Sequence, residues 1–131
     1  LDRLACADLY LDAWPCNAHT TASEALWAGV PVVTLKGRTF AQRVAASVLH
    51  TAGLDELACN DVASYRALAL ELATDPARRA ALRDRLVAQR AASPLFDGVA
   101  FARDIEALFE RMWARAVEGK APEHLPALAD A

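Results

Sequence analysis

No apolar run in this chain approaches the ~20 residues that a helix needs to cross a bilayer. The N-terminus also lacks the basic, apolar and small-residue order of a secretory leader. A cytoplasmic protein with no membrane partner is therefore expected. Charge of one sign is missing too: 14 basic and 17 acidic residues are well mixed, for a formal net charge of −3. Such a surface offers no electrostatic footprint for a nucleic-acid backbone, so no nucleic-acid partner is expected. Cysteine is scarce and odd in number; Cys6, Cys16 and Cys59 have no paired spacing. They read as reduced thiols or small core residues, with no disulfide framework and no metal site. There is no internal repeat, and no Ser-His-Asp, Cys-His or paired-carboxylate constellation can be assembled, so no catalytic residue is assigned.

What is present suits one globular core: 131 residues, 55% hydrophobic and 24% charged. A partly alternating run over residues 8–12, with an aspartate at each edge, reads as a strand. A second run over 31–35 is continuously apolar, as in strands buried on both faces of a parallel sheet. Parallel neighbours need a crossover of about a dozen residues or more, usually helical, and residues 13–30 supply it. Thr21-Ala22-Ser23-Glu24 fits the S/T-x-x-E capping box, Gly29 suits the position just past the last turn, and Pro31 keeps the helix from resuming.

Further helices are expected over residues 40–52, ending at Gly53, and after Asn60 or Asp61. Another is expected from Asp75-Pro76 to about Ala91, with a very short strand at 57–59. Asp97 caps a last long helix in which Phe101, Ile105, Leu108, Phe109 and Met112 recur at helical spacing. Residues 119–131 hold Pro122 and Pro126 and read as an extended or loosely ordered tail. The outline is βαβα followed by about three helices, one half of an open α/β fold. The opening Leu1-Asp2-Arg3-Leu4-Ala5 reads as the end of a preceding element, so a piece of a longer protein is expected.

Open α/β sheets bind ligands at the carboxyl ends of their strands, and the turn before the first crossover helix carries His19, Thr20 and Thr21. Amides at a helix start point outward with partial positive charge behind them, so a phosphate or carboxylate is welcome there. Two hydroxyls and an imidazole can complete the cradle. Glu24, one turn further, can accept hydrogen bonds from a vicinal diol such as ribose. The residues alone leave a second reading open, in which Thr21 and Glu24 only cap the helix. Lys36, Arg38 and Arg43 can add positive charge nearby or simply be solvated, and Trp14 and Trp27 read as packing anchors. The series Arg78, Arg79, Arg83, Arg85 and Arg90 reads as a solvated helix face.

Several ordered blocks carry a family likeness: Asp8-Leu9-Tyr10-Leu11-Asp12, the stretch from Asn17-Ala18-His19-Thr20-Thr21 to Val32-Val33-Thr34-Leu35, Phe40-Ala41-Gln42-Arg43-Val44-Ala45-Ala46-Ser47, Ser93-Pro94-Leu95-Phe96-Asp97 and Met112-Trp113. Together they resemble the C-terminal catalytic half of the O-linked N-acetylglucosamine transferase family, including bacterial SPINDLY-type members. The resemblance implies an α/β, Rossmann-like fold. Residues 1–118 would be part of the C-terminal donor-binding domain of a GT-B glycosyltransferase, ending in a long C-terminal helix, and 119–131 a tail.

It also implies a nucleotide-sugar donor, UDP-GlcNAc, and a protein acceptor whose Ser/Thr hydroxyl is glycosylated with inversion. Residue by residue, His19, Thr20 and Thr21 match the motif that holds the donor diphosphate, and Glu24 matches an acidic ribose-binding position. No metal or other cofactor is implied. The partners implied within the parent chain are an upstream Rossmann-like domain and tetratricopeptide repeats, with the base-reading and acceptor-activating groups ahead of Leu1, so that this stretch would be inactive alone. Two departures stand out: Ala18 where the family often has glycine, which raises the prospect of a strained turn, and Glu24 for a frequent aspartate. A related transferase using GDP-fucose or UDP-glucose, and a non-catalytic nucleotide-binding or interaction module, are the alternatives.

Overall fold

The structure, a computed structural model, describes residues 1–126. It divides into two compact units, Leu1–Phe96 and a second that begins at Asp97. The first unit runs α1 (Asp2–Ala5), β1 (Tyr10–Leu11), α2 (Thr20–Trp27), β2 (Val32–Leu35), a 3₁₀ turn (Phe40–Gln42), α3 (Val44–Thr51), β3 (Ala58–Cys59), α4 (Val62–Thr74) and α5 (Pro76–Gln89). Its three strands form one parallel sheet in the order β1-β2-β3. Tyr10 and Leu11 pair with Val32 and Val33, and Thr34 and Leu35 pair with Ala58 and Cys59.

β2 is the central strand, and its sequence shows why. Val32, Val33 and Thr34 are fully buried, as a strand covered on both faces requires. Leu26, Val30, Leu49, Leu54, Leu57, Leu72, Leu82 and Leu86 pack around it in one core. Burying one such side chain fully is worth roughly 1.5–3 kcal/mol. β1 is shorter than the alternating run 8–12 suggests, because at Asp12 the side chain turns back onto its own connection and takes the amides of Ala13 and Ala18.

α2 stops where its sequence says. Gly29 has φ +79°, a conformation costly for any residue with a Cβ, and an added Cβ would also lie 3.3 Å from Val87 Cγ2. The expected helix over 40–52 is divided instead: the 3₁₀ turn ends at Arg43, whose φ of −124° separates it from α3. Asp61 caps α4 by accepting from Ser64 N (2.8 Å), and Asp75 caps α5 by accepting from Arg78 N (2.9 Å), with Pro76 in the first turn.

Of the arginines expected to form a solvated face, Arg78 pairs with the exposed Glu71, but the other four reach backbone carbonyls. Arg79 donates to the carbonyls of Leu72 (2.5 Å) and Ala73 (2.9 Å), closing the end of α4. Arg83 donates to Ala5 O (3.2 Å) and Ala7 O (2.8 Å), and Arg85 reaches Gly53 O (3.4 Å) and Glu56. Arg90 donates to Trp27 O (2.9 Å) while its guanidinium lies 4.7 Å from the Trp27 ring centroid. Long stems on a helix let guanidinium groups serve carbonyls that helix ends leave unpaired. Trp27 also meets Phe96 edge to face at 4.9 Å, so it is a packing anchor.

The second unit is α6 (Gly98–Val117) and the residues after it. Asp97 caps it by accepting from Val99 N (3.1 Å) and Ala100 N (2.9 Å). Residues 120–126 have no regular structure, yet they are tied to the helix: Arg115 donates to Ala121 O (2.6 Å) and pairs with Glu123, and Arg111 donates to Pro126 O (2.8 Å). Residues 127–131 of the expected tail lie outside the described residues. Among the described residues no helix is long and apolar enough to cross a membrane.

Candidate functional site

Two connections leave the carboxyl edge of the sheet side by side. One follows β1 and leads into α2; the other follows β2 and leads into the 3₁₀ turn before α3. They are tied together: Asn17 N donates to Ala41 O (2.9 Å), and Asn17 Nδ2 donates to Ala13 O (3.2 Å) and Leu35 O (3.4 Å). Asn17 is buried, and its Oδ1 is buried without a hydrogen-bond partner among the described residues. Trp14 leans over the second connection, so closely that a Cβ on Gly37 would lie 2.5 Å from its ring and from Gln42 Oε1. Glycine at 37 is required by space.

His19 is the N-cap residue of α2, and its side chain makes no capping bond. Its carbonyl accepts from Ala22 N (3.2 Å) and Ser23 N (3.3 Å). The amides of Thr20 and Thr21 have no hydrogen-bond partner among the described residues. His19, Thr20 and Thr21 are all exposed, and the imidazole rests edge-on against Phe40, with centroids 6.0 Å apart.

The capping-box reading of Thr21 and Glu24 is not what forms. Because the helix starts two residues earlier than a Thr21 cap requires, Thr21 lies inside the first turn and its Oγ1 faces the Tyr10 hydroxyl, which donates to it at 3.4 Å. The side chain that does close a helical turn on its amides here is Gln42, whose Oε1 accepts from Arg38 N (3.0 Å) and Thr39 N (3.2 Å). Thr21 and Glu24 are three residues apart on α2, hence on one side of it and about 4.5 Å apart along the axis. Since α2 buries Ala22, Ala25 and Leu26, that side faces away from the core. Glu24 is half-buried and lines a cavity of about 220 Å³ with Leu1, Ser23, Trp27 and Phe96.

Ala18 needs no glycine. No non-glycine among the described residues has positive φ, so the turn runs through Ala18 without left-handed strain. Lys36, Arg38 and Arg43, on the second connection, form no ion pair among the described residues. No acidic residue occurs between Ala25 and Leu54, which leaves this stretch cationic. Arg43 lines a cavity of about 430 Å³ with Phe40, Val44, Ser47 and Val48. His50 stands apart from these groups in the last turn of α3, with Nδ1 2.8 Å from Asp55 Oδ1.

Asp12 and Asn17 received no site role from the sequence. Asp12 Oδ2 accepts from Thr34 Oγ1 (2.5 Å), Oδ1 accepts from Ala13 N (2.8 Å) and Ala18 N (2.7 Å), and the Asp12 carbonyl accepts from the Tyr65 hydroxyl (3.0 Å). A carboxylate at the carboxyl end of a strand, directly before a polar turn, was the available signal. Tyr65 itself is pushed up from its ordinary value by burial and by the nearby Asp12 charge.

The model of glycosyl transferase family 41 matches residues 1–105. The chain belongs to that family. Among curated relatives, the family 41 chain is 36% identical over 127 residues to a probable UDP-N-acetylglucosamine–peptide N-acetylglucosaminyltransferase SEC of Arabidopsis thaliana, covering 96% of this chain and 13% of the relative. It is 37% identical over 119 residues to the UDP-N-acetylglucosamine–peptide N-acetylglucosaminyltransferase of Caenorhabditis elegans, covering 91% of this chain and 10% of the relative. A probable SPINDLY enzyme of Solanum lycopersicum is 38% identical over 115 residues, with 88% and 12% covered. Among solved structures, a mutant O-GlcNAc transferase of Thermobaculum terrenum superposes with a TM-score of 0.83 at 38% identity, over 92% of this chain and 24% of that one. The parallel-sheet α/β fold is thus that of a GT-B O-GlcNAc transferase, and the family 41 chain spans only a small part of the relatives it matches.

Proposed function

We propose that this chain is the donor-binding part of a protein O-glycosyltransferase that moves N-acetylglucosamine from UDP-GlcNAc to Ser/Thr hydroxyls with inversion. The observation that carries this reading is the open start of α2: the Thr20 and Thr21 amides without partners among the described residues, beside the exposed His19, Thr20 and Thr21 side chains, in a family 41 chain. A helix start with its own capping side chain would compete with an anion; this one does not. In this reading the diphosphate sits at the first turn, and the ribose lies along α2 where Glu24 accepts from its hydroxyls. When the acceptor hydroxyl attacks the anomeric carbon, the sugar–phosphate bond breaks and negative charge grows on the departing diphosphate. Amides and side chains already aimed at that charge stabilise it without reorganising.

Lys36, Arg38 and Arg43 supply long-range positive potential to the same edge, so the reading includes no metal. It does include a protein acceptor, an upstream Rossmann-like domain and tetratricopeptide repeats in the parent chain, and a cytoplasmic setting. The test is calorimetric titration of the complete protein with UDP, GDP and inorganic diphosphate, with and without EDTA, alongside His19→Ala. Binding selective for UDP, unchanged by EDTA and weakened about tenfold or more by the substitution is expected, the equivalent of ~1.4 kcal/mol. Selectivity for GDP would redirect the reading to a GDP-fucose donor. Absence of binding to every one of them by the folded protein would leave the non-catalytic interaction module.

A further inference from the structure

We propose that Asp12 is a positioning residue for the donor diphosphate, its buried carboxylate holding the β1–α2 connection in the course that brings the Thr20 and Thr21 amides and His19 to a common point. This rests on the donor-site reading above. Asp12 is 6% exposed, and every polar atom it has is engaged. Its own amide donates to Val33 O (3.0 Å) and its carbonyl accepts from Tyr65, so the residue is fixed to β2 and α4 before its side chain does anything. Thr34 Oγ1 then holds Oδ2 from the fully buried face of β2.

The remaining oxygen, Oδ1, accepts from both ends of the connection at once, Ala13 N and Ala18 N. Those amides are five positions apart in sequence, and one oxygen draws them together. Ala18 is bonded directly to His19, the N-cap of α2, so the point at which the helix begins is set from the sheet through this carboxylate. Asn17 adds ties to Leu35 and Ala41, but through neutral groups and at 3.4 Å in the first case. Hydrogen bonds to an ionised acceptor are shorter and roughly twice as strong as neutral ones. Asp12 is therefore the dominant anchor of the turn, and none of its oxygen capacity depends on a ligand.

The variants Asp12→Asn and Thr34→Val test this in the complete protein. The first keeps the shape and removes the charge. The second keeps a β-branched residue in β2 and removes the hydroxyl that orients the carboxylate. Binding of UDP is compared with binding of uridine, which lacks the phosphates. Both variants are expected to lose about tenfold or more in UDP affinity while uridine affinity changes less than twofold, because only the phosphates meet the first turn of α2.

A merely structural role would lower both ligands together, and equal losses overturn the proposal. So does an unchanged preference for UDP over uridine in a folded Asp12→Asn protein. If that variant does not fold, Thr34→Val decides by the same two criteria. A wild-type protein that shows no preference for UDP over uridine would instead overturn the donor-site reading on which the proposal stands.

Discussion

Thr21 shows how much turns on two residues of register. Placed as a cap, its hydroxyl would be spent on the helix; placed inside the first turn, it is held only by a 3.4 Å bond from Tyr10. Thr21→Val is therefore expected to leave stability within about 0.5 kcal/mol, as surface substitutions away from caps and cores do, while weakening UDP binding severalfold. Thermal denaturation and calorimetry on the same preparations separate the two. A loss of about 1 kcal/mol in stability, the usual cost of removing a cap, would restore the capping role. Glu24→Gln makes a complementary claim: UDP affinity falls more than affinity for inorganic diphosphate, which has no ribose. Equal losses would remove Glu24 from the ribose contact.

Among the helices, local signals proved sufficient wherever the physics is local. Asp61, Asp75 and Asp97 each accept from amides two or three residues on, and Gly29 and Gly53 stop their helices in left-handed backbone. All were legible because cap and stop chemistry involves only neighbours in sequence. The start of α2 escapes the local rule: Thr21-x-x-Glu24 satisfies it, yet the helix begins earlier, and Ala18 N, beside the N-cap residue His19, donates to Asp12, six residues back. Arg83 escapes local reading for the same reason: the carbonyls it binds are 76 and 78 positions away.

Asp61 gives the caps a pH signature. The Ser64 amide beside it holds its carboxyl below the usual carboxylate range. A group whose pKa is lowered by folding adds stability above its unfolded value, near 3.9, and loses that contribution as pH falls through the folded value. In urea titrations the advantage of wild type over Asp61→Asn should accordingly shrink from pH 6 to pH 3. A gap that stays constant would mean the charge is not what makes this cap.

For the molecule as a whole, the α/β class and the family were readable because the two apolar strands, the crossover length and the ordered motif blocks are properties of the linear chain. The candidate site was half readable. His19, Thr20, Thr21 and Glu24 announce themselves by type and spacing, and the structure puts all four on the open end and outer side of α2. The parts that organise them, Asp12 with Thr34 and Asn17 with Ala41, are pairings of 22 and 24 positions in separation, visible only once β1 and β2 lie side by side. The sheet that unites them contributes little ladder of its own, with two paired residues on each side of β2.

The amides of Thr20 and Thr21, without partners among the described residues, also act as a clock. No hydrogen bond among the described residues slows their trade of hydrogen for deuterium with water, whereas the next two amides, bonded to His19 O, are protected as far as the first turn is stable. An anion seated on the turn would reverse that contrast at two adjacent positions and leave distant helices as they were. Residue-resolved exchange with and without UDP thus reads occupancy of this one helix end directly, without a turnover assay and before any acceptor protein is known.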